Sequence, residues 1–269
     1  MSPNNNDTRL EKLQRINTLI LFFCAVAFIA DSKAANPEDF SIDSIQSGHP
    51  RILASDADFE AIRNATEDPL QTQYMEFLRG TAEAMLPIPP INHELAGFRL
   101  LSQSRKFLKR ISTWALLYKI DGNTAYRDRA IREMEVVGAF PDWNPRHYLD
   151  VGEMTLGMSI GLDWFWDDLS SNQRNHFLDA LEKKGINPSF DESDPNNWWL
   201  YYNNNWNPVC HAGMVSAALL LADRNPELAN RVITRAIKAV PNAMNETDPD
   251  GIYPEGPVYW TYGTHFTAV

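Results

Sequence analysis

A repeated pairing of two kinds of helix constrains this fold more than any other feature of the sequence. Three times, a strongly apolar stretch ends in a short polar turn, and an amphipathic stretch follows the turn. The turns contain Asp121, Asp167 and Asp223, and the apolar stretches before them cover 103–120, 148–166 and 209–222. An apolar helix must be surrounded, whereas an amphipathic helix faces water on one side. The pattern therefore predicts helical hairpins with inner and outer helices, and no stretch alternates as a strand would.

Closing such hairpins into a ring would bury every apolar helix, so we expect an all-α fold of the α/α toroid type over 49–269. An open solenoid is the alternative, and the irregular spacing of the turns favours the toroid. The segment that ends at Val269 has the composition of an inner helix but no cap or following hairpin. We therefore expect an incomplete toroid that is truncated at its C-terminus.

Shorter helices are predicted ahead of the hairpins. Asp56 or Asp58 is a candidate N-cap for a helix that reaches about Ala65, and Asp68-Pro69 begins a second helix that reaches about Met85. The three prolines within 86–92 cannot continue that helix, because proline lacks the N–H donor and fixes φ.

The first residues have the pattern of a secretory signal. Basic residues precede the uncharged run 16–30, and small residues follow it. The run has about fifteen residues, fewer than the roughly twenty that a spanning helix needs. We therefore expect a signal peptide over 1–35, a polar lead-in over 36–48 and a secreted or periplasmic product without stable membrane association. The alternative is a membrane anchor formed by residues 16–30.

The net charge restricts the kinds of binding partner, and the cysteine content restricts disulfide formation. The formal net charge is −11, which disfavours nucleic acid as a partner. This charge would also oppose an acidic polysaccharide unless the site has a local basic lining. The basic residues within 105–110 could supply that lining, or they form a solvated helix face. Once a signal is removed, Cys210 is the one remaining cysteine, so we expect no intramolecular disulfide.

The motifs point to acid–base chemistry without a metal or cofactor. The histidines show no close ligand spacing, and the sequence has neither a nucleophile elbow nor a glycine-rich phosphate loop. Long connections rich in polar and aromatic residues precede the apolar helices in the chain, at 139–147, 185–206 and 247–258. Loops of this length inside a compact domain are commonly functional, and these would line one mouth of the ring.

Several motifs, in this order, resemble the heparinase II/III and oligoalginate lyase family of polysaccharide lyases. They lie at 142–145 (DWNP), 149–154 (LDVGEM), 161–164 (GLDW), 204–210 (NNWNPVC) and 250–263 (DGIYPEGPVYWTYG). The resemblance covers roughly 49–269. It implies an N-terminal toroid followed by a β-sandwich, with a cleft that cleaves uronate-containing polysaccharides by β-elimination. It also implies that part of the catalytic set, including a later histidine, follows the end of this chain, so the chain alone is expected to be impaired.

The elimination requires the uronate carboxylate to be neutralised before the C5 proton can leave. Amide and imidazole donors do this by hydrogen bonding to the developing charge, and our candidates are Asn205, Asn207 and His211. The competing interpretation is that the amides cap a helix and the histidine is buried in the core. A phenol then moves protons, and the resemblance assigns this role to Tyr259 or Tyr262 without choosing between them. Two core aromatic residues are the alternative.

Stacking and hydrogen bonding to sugar rings are assigned to nearby residues: Trp199, Tyr202, Trp206 and Glu255. A glycoside hydrolase on the same fold is the second hypothesis, because Asp250 and Glu255 could act as a carboxylate pair. The third hypothesis is an inactive carbohydrate-binding domain. Asp150 and Glu153 lie on the apolar helix of the middle hairpin, where a carboxylate is expected to be a buried hydrogen-bond partner.

Overall fold

The computed structural model describes residues 40–65, 68–191 and 193–269. The predicted signal peptide over 1–35 and the alternative anchor over 16–30 lie outside the described residues, and the lead-in 36–48 is described only from Phe40 onward. Within the described ranges the regular structure is helical, and β pairing is limited to an isolated bridge between Ala96 and Arg99. The prediction of an all-α fold is confirmed.

The helices begin and end close to the positions that the sequence predicts. The α-helices run in this order: α1 (Asp56–Asn64), α2 (Pro69–Met85), α3 (Leu101–Asp121), α4 (Thr124–Gly138), α5 (Tyr148–Trp164), α6 (Ser171–Ala180), α7 (Trp206–Leu221), α8 (Pro226–Ala239), α9 (Pro241–Met244) and α10 (Pro257–Thr267). A π-helical turn at Leu181–Ile186 prolongs α6, and 3₁₀ turns occupy Asn187–Phe190 and Pro195–Tyr201 in the connection to α7.

Local sequence explains where these helices start and stop. Asp68 caps α2 by accepting hydrogen bonds from the backbone N–H groups of Leu70 and Gln71, with proline at the first helical position. The cap of α1 is Ser55, and Asp58 completes a capping box with it, so the expected aspartate cap belongs to the preceding serine. Gly122 ends α3 in the left-handed conformation, with φ of 67°.

The three hairpins form two rows of helices. The inner row is α3, α5, α7 and α10, each packed against the next, and the outer row is α4, α6 and α8. Every residue of α5 is buried, which requires neighbours on all of its sides. Its apolar sequence therefore places it at the centre of the core.

Glycines allow the inner helices to approach closely. A Cβ added to Gly213 of α7 would lie 2.3 Å from the backbone oxygen of Gly152 in α5. A Cβ on Gly157 would lie 3.1 Å from the Cα of Leu108 in α3. These contacts bring α5 against both neighbours at backbone distance.

In the described part of the chain, none of the helices combines the length and apolar composition that crossing a membrane requires.

Candidate functional site

Three inner helices bring a phenol, a carboxylate and a guanidinium group together. Tyr262 on α10 donates its phenolic hydrogen to Oε1 of Glu153 on α5. Arg105 on α3 donates from Nε to the same oxygen at 3.1 Å, and its guanidinium carbon lies 5.2 Å from the centroid of the Tyr262 ring. Glu153 is 2% exposed, whereas the Arg105 side chain is 53% exposed. This cluster of Tyr262, Glu153 and Arg105 therefore reaches solvent through the arginine.

Burial controls the proton affinities in the cluster. Burial raises the pKa of Glu153, and the charge of Arg105 together with the hydrogen bond from Tyr262 acts in the opposite direction. Burial also raises the pKa of Tyr262 well above its usual value, and the negative charge of Glu153 adds to this effect. The phenol is therefore protonated at neutral pH and donates to a carboxylate that binds protons more readily than an exposed one.

The second candidate tyrosine lies one turn earlier on α10 and has a different environment. The side chain of Tyr259 is 49% exposed. No residue in the described ranges forms a hydrogen bond with its hydroxyl group. The sequence placed Tyr259 and Tyr262 on one face of a helix, but the structure buries the hydroxyl group of only one of them beside Glu153.

Asn205 is tied to the segment that precedes α10. Its backbone N and its Nδ2 both donate to Oε2 of Glu255, at 3.0 and 2.6 Å, and the Tyr253 hydroxyl donates to the same oxygen at 3.0 Å. Asn205 is 1% exposed, and its Oδ1 has no hydrogen-bond partner among the described residues. Its Cα lies 3.6 Å from where a Cβ on Gly263 would be. Asn205 is therefore positioned against α10, next to the residue that follows Tyr262.

Asn207 and His211 face the core. Nδ2 of Asn207 donates to the backbone oxygens of Leu200 and Ala239, at 3.3 and 3.1 Å. Nδ1 of His211 lies 2.9 Å from the backbone oxygen of Asn207, and burial lowers the pKa of His211 to about 4. Their hydrogen bonds join backbone segments within the core and do not reach the cluster of Tyr262, Glu153 and Arg105.

The predicted stacking residues separate into a buried and a surface group. Trp199 is fully buried against Tyr148 and His211, at ring-centroid distances of 4.7 and 5.1 Å, so its ring offers no face to a sugar. Tyr202 is 51% exposed and packs edge-on against Trp198, which in turn contacts Trp206. Glu255 uses its carboxylate to hold Asn205 and Tyr253. Of the four, Tyr202 and Trp206 belong to a surface group of aromatic rings.

The basic residues of 105–110 also have separate roles. Arg105 joins the candidate site, whereas Arg110 is buried in an ion pair with Glu133 at 2.7 Å. The sequence predicts Glu153 as a buried hydrogen-bond partner and places Arg105 either in a basic lining of the site or on a solvated helix face, but it does not bring the two together. The available signal was the presence of carboxylates, Glu153 among them, on an otherwise apolar helix. Such a carboxylate requires a partner from a neighbouring element.

Across the described ranges, no group of three or more His, Cys, Asp or Glu side chains is arranged to hold a metal ion.

A scan against protein-family models finds no match for the chain, and a search of curated proteins finds no significant match either.

Proposed function

We propose that the chain is a polysaccharide lyase module that cleaves a uronate-containing polysaccharide by β-elimination. The observation that carries this proposal is the Tyr262 phenol held on buried Glu153 beside half-exposed Arg105. This arrangement places a pair that can transfer protons, Tyr262 and Glu153, beside the surface cation of Arg105. We further propose that the two helix rows are part of an α/α toroid, and that residues 1–35 direct the chain to the periplasm or the exterior.

Arg105 is the candidate for the first task, which is to bind the substrate carboxylate. Its planar guanidinium suits a carboxylate, and its exposure lets a polymer reach it. Placing a fixed positive charge on the uronate carboxylate lowers the cost of the carbanion that forms at C5. Nε of Arg105 donates to Glu153, so the substrate carboxylate would bind the remaining guanidinium N–H groups. Of the predicted amide donors, Asn205 packs against α10 at Gly263, the residue after Tyr262.

Tyr262 and Glu153 are the candidates for proton transfer. In this mechanism the phenol oxygen takes the proton from C5 while its own proton passes to the Glu153 carboxylate. The C5 electron pair forms the C4=C5 double bond and the C4–O bond breaks. The phenol then protonates the departing oxygen as Glu153 returns its proton, so both residues end in their starting states. The raised pKa of Glu153 favours this relay, because the carboxylate must bind a proton transiently.

The glycoside hydrolase hypothesis has less support. It requires two available carboxylates, but Glu255 already accepts three hydrogen bonds from Asn205 and Tyr253. Asp250 accepts from the backbone N–H of Ile252 at 3.2 Å, as in a turn.

A carbohydrate-binding domain without catalysis is the second candidate, because the exposed rings of Trp198 and Tyr202 suit stacking on sugars.

Product chemistry separates these functions. The purified chain is incubated with alginate, hyaluronan and heparan sulfate, and both ultraviolet absorbance and reducing ends are followed. A lyase generates both signals, because elimination leaves a conjugated unsaturated uronate. Reducing ends without the absorbance would establish hydrolysis, and binding without either signal would establish a carbohydrate-binding domain.

A further inference from the structure

A continuous line of aromatic rings crosses the surface next to the candidate site. The aromatic strip consists of Phe98, His147, Trp206, Trp198 and Tyr202, in spatial order. Successive ring centroids are 5.7, 4.7, 4.8 and 5.1 Å apart. Phe98, Trp198 and Tyr202 are 58%, 44% and 51% exposed. Large apolar rings exposed together on one surface commonly mark a binding site.

A buried polar anchor lies in the middle of the strip. Nδ1 of His147 lies 2.6 Å from Oδ1 of Asp150. A carboxylate can only accept, so Nδ1 carries the hydrogen and Nε2 is left for another partner. His147 is 3% exposed, and no group in the described ranges forms a hydrogen bond with Nε2. The histidine therefore presents a fixed ring nitrogen between Phe98 and Trp206.

The same carboxylate fixes the loop that carries Phe98. Oδ2 of Asp150 accepts hydrogen bonds from Nδ2 of Asn144 at 2.7 Å and from the backbone N–H of Leu100 at 2.5 Å. Nδ2 of Asn144 also donates to the backbone oxygen of Phe98 at 2.9 Å. Phe98 is thus held through its backbone by a buried network, and its ring also contacts His147 and Arg99. A site supported in this way is organised before a ligand arrives.

The strip lies close to the cluster of Tyr262, Glu153 and Arg105. Positions 147 and 153 are separated by six residues at the start of α5, which corresponds to about 9 Å along a helix axis. Trp206 directly follows Asn205, whose backbone packs against α10 at Gly263. The strip therefore adjoins α10, the helix that carries Tyr262.

We propose that the aromatic strip is a saccharide-binding subsite, in which exposed rings stack on sugar faces and Nε2 of His147 forms a hydrogen bond with a sugar hydroxyl. This inference rests on the proposed function for its substrate class, namely uronate-containing oligosaccharides. His147 is a binding residue here, and the proton transfers remain with Tyr262 and Glu153. The subsite holds the polymer so that one uronate lies against Arg105.

Calorimetric titration of the full chain with hexasaccharides of alginate, hyaluronan and heparan sulfate tests the subsite. Tyr202→Ala and Phe98→Ala change exposed side chains and should leave the fold intact. Each should raise the Kd of the bound hexasaccharide roughly three- to tenfold, as expected for the loss of one stacking contact. The matched control is Tyr201→Ala, because Tyr201 is 61% exposed but lies outside the strip. It should leave the Kd within about twofold of the wild-type value.

His147→Gln tests the contact through Nε2, with circular dichroism to verify folding, and should also raise the Kd. Absence of binding to all three hexasaccharides, or equal Kd values for wild type, Tyr202→Ala and Phe98→Ala, would overturn the subsite. The outcomes that reject the lyase proposal differ from those that reject the subsite. Strip-dependent binding without unsaturated product would retain the subsite and reject the lyase, whereas elimination with a KM unaffected by Tyr202→Ala would retain the lyase and reject the subsite.

Discussion

Tyr259 and Tyr262 show how one helical turn changes the chemistry of a side chain. Both lie on α10, but only Tyr262 meets the carboxylate of Glu153 and the guanidinium of Arg105. The sequence could not choose between them, because the choice depends on which side of α10 packs against α5 and α3. Those contacts involve residues more than a hundred positions away in the chain. The same limit applies to Asn207 and His211, whose amide and imidazole hydrogen bonds lie in the core.

Tyr262→Phe should destabilise the fold more than Tyr259→Phe. Removing the Tyr262 hydroxyl deletes a hydrogen bond to a buried carboxylate, and such bonds contribute about 2 kcal/mol. The hydroxyl of Tyr259, a half-exposed residue, should contribute less than about 0.5 kcal/mol. Urea unfolding followed by circular dichroism measures both changes. Equal free energies of unfolding for the two variants would contradict the assigned contact.

Acidification should destabilise the protein between about pH 6.5 and pH 4 through His211. Burial lowers the pKa of this histidine from 6.5 to about 4, so in that range the unfolded chain binds more protons than the folded one. The stabilisation is present above pH 6.5 and decreases as the pH falls, with an upper limit of about 3 kcal/mol. Burial lowers the pKa of His265 to about 4 as well, which adds an effect of the same sign.

The pH dependence can be assigned by comparing two variants. His211→Asn should reduce the slope of unfolding free energy against pH between 4 and 6.5, measured by urea titration at each pH, and the contribution of His265 should remain. His176→Asn is the matched control, because His176 lies on the exposed side of α6, and it should keep the wild-type slope. An unchanged slope in His211→Asn would show that His211 is not buried in its neutral form.

At the scale of elements, helix boundaries were predictable because local chemistry sets them. Asp68 caps α2, the prolines of 86–92 lack N–H donors, and Gly122 adopts a positive φ. Each of these effects depends on residues that are close in sequence. The pairing of inner helices depends on surface shape instead. Gly152 and Gly213 allow α5 and α7 to meet at backbone distance, and their spacing in sequence gives no sign of this contact.

Gly213→Ala should be strongly destabilising, at about 3 kcal/mol or more, because the new Cβ would lie 2.3 Å from the backbone oxygen of Gly152. Neither backbone can move without separating α5 from α7. The matched control is Gly80→Ala in α2, where a Cβ meets nothing within 4 Å and the residue is exposed. There alanine should stabilise the helix by about 0.5–1 kcal/mol. Melting temperatures of the two variants should shift in opposite directions, and a neutral Gly213→Ala would contradict the close packing.

At the scale of the whole molecule, the alternation of apolar and amphipathic helices was enough to predict an all-α fold with inner and outer helices. The spacing of apolar residues indicates which helices must be surrounded by others. This spacing does not indicate which side chains meet between the helices of the inner row, where the candidate site lies. Arg105, Glu153 and Tyr262 come from three helices, so only the assembled row brings a cation, a carboxylate and a phenol together.

The most direct test of the central claim compares product formation by wild type, Tyr262→Phe and Tyr259→Phe. Each protein is incubated with alginate, hyaluronan or heparan sulfate, and the ultraviolet absorbance of the unsaturated uronate is recorded, with circular dichroism to verify folding. We expect slow but detectable elimination by the wild type, loss of at least about a hundredfold in kcat for Tyr262→Phe and near wild-type rates for Tyr259→Phe. Elimination by folded Tyr262→Phe at the wild-type rate, or no unsaturated product from any of the three polymers with the wild type, would contradict the account.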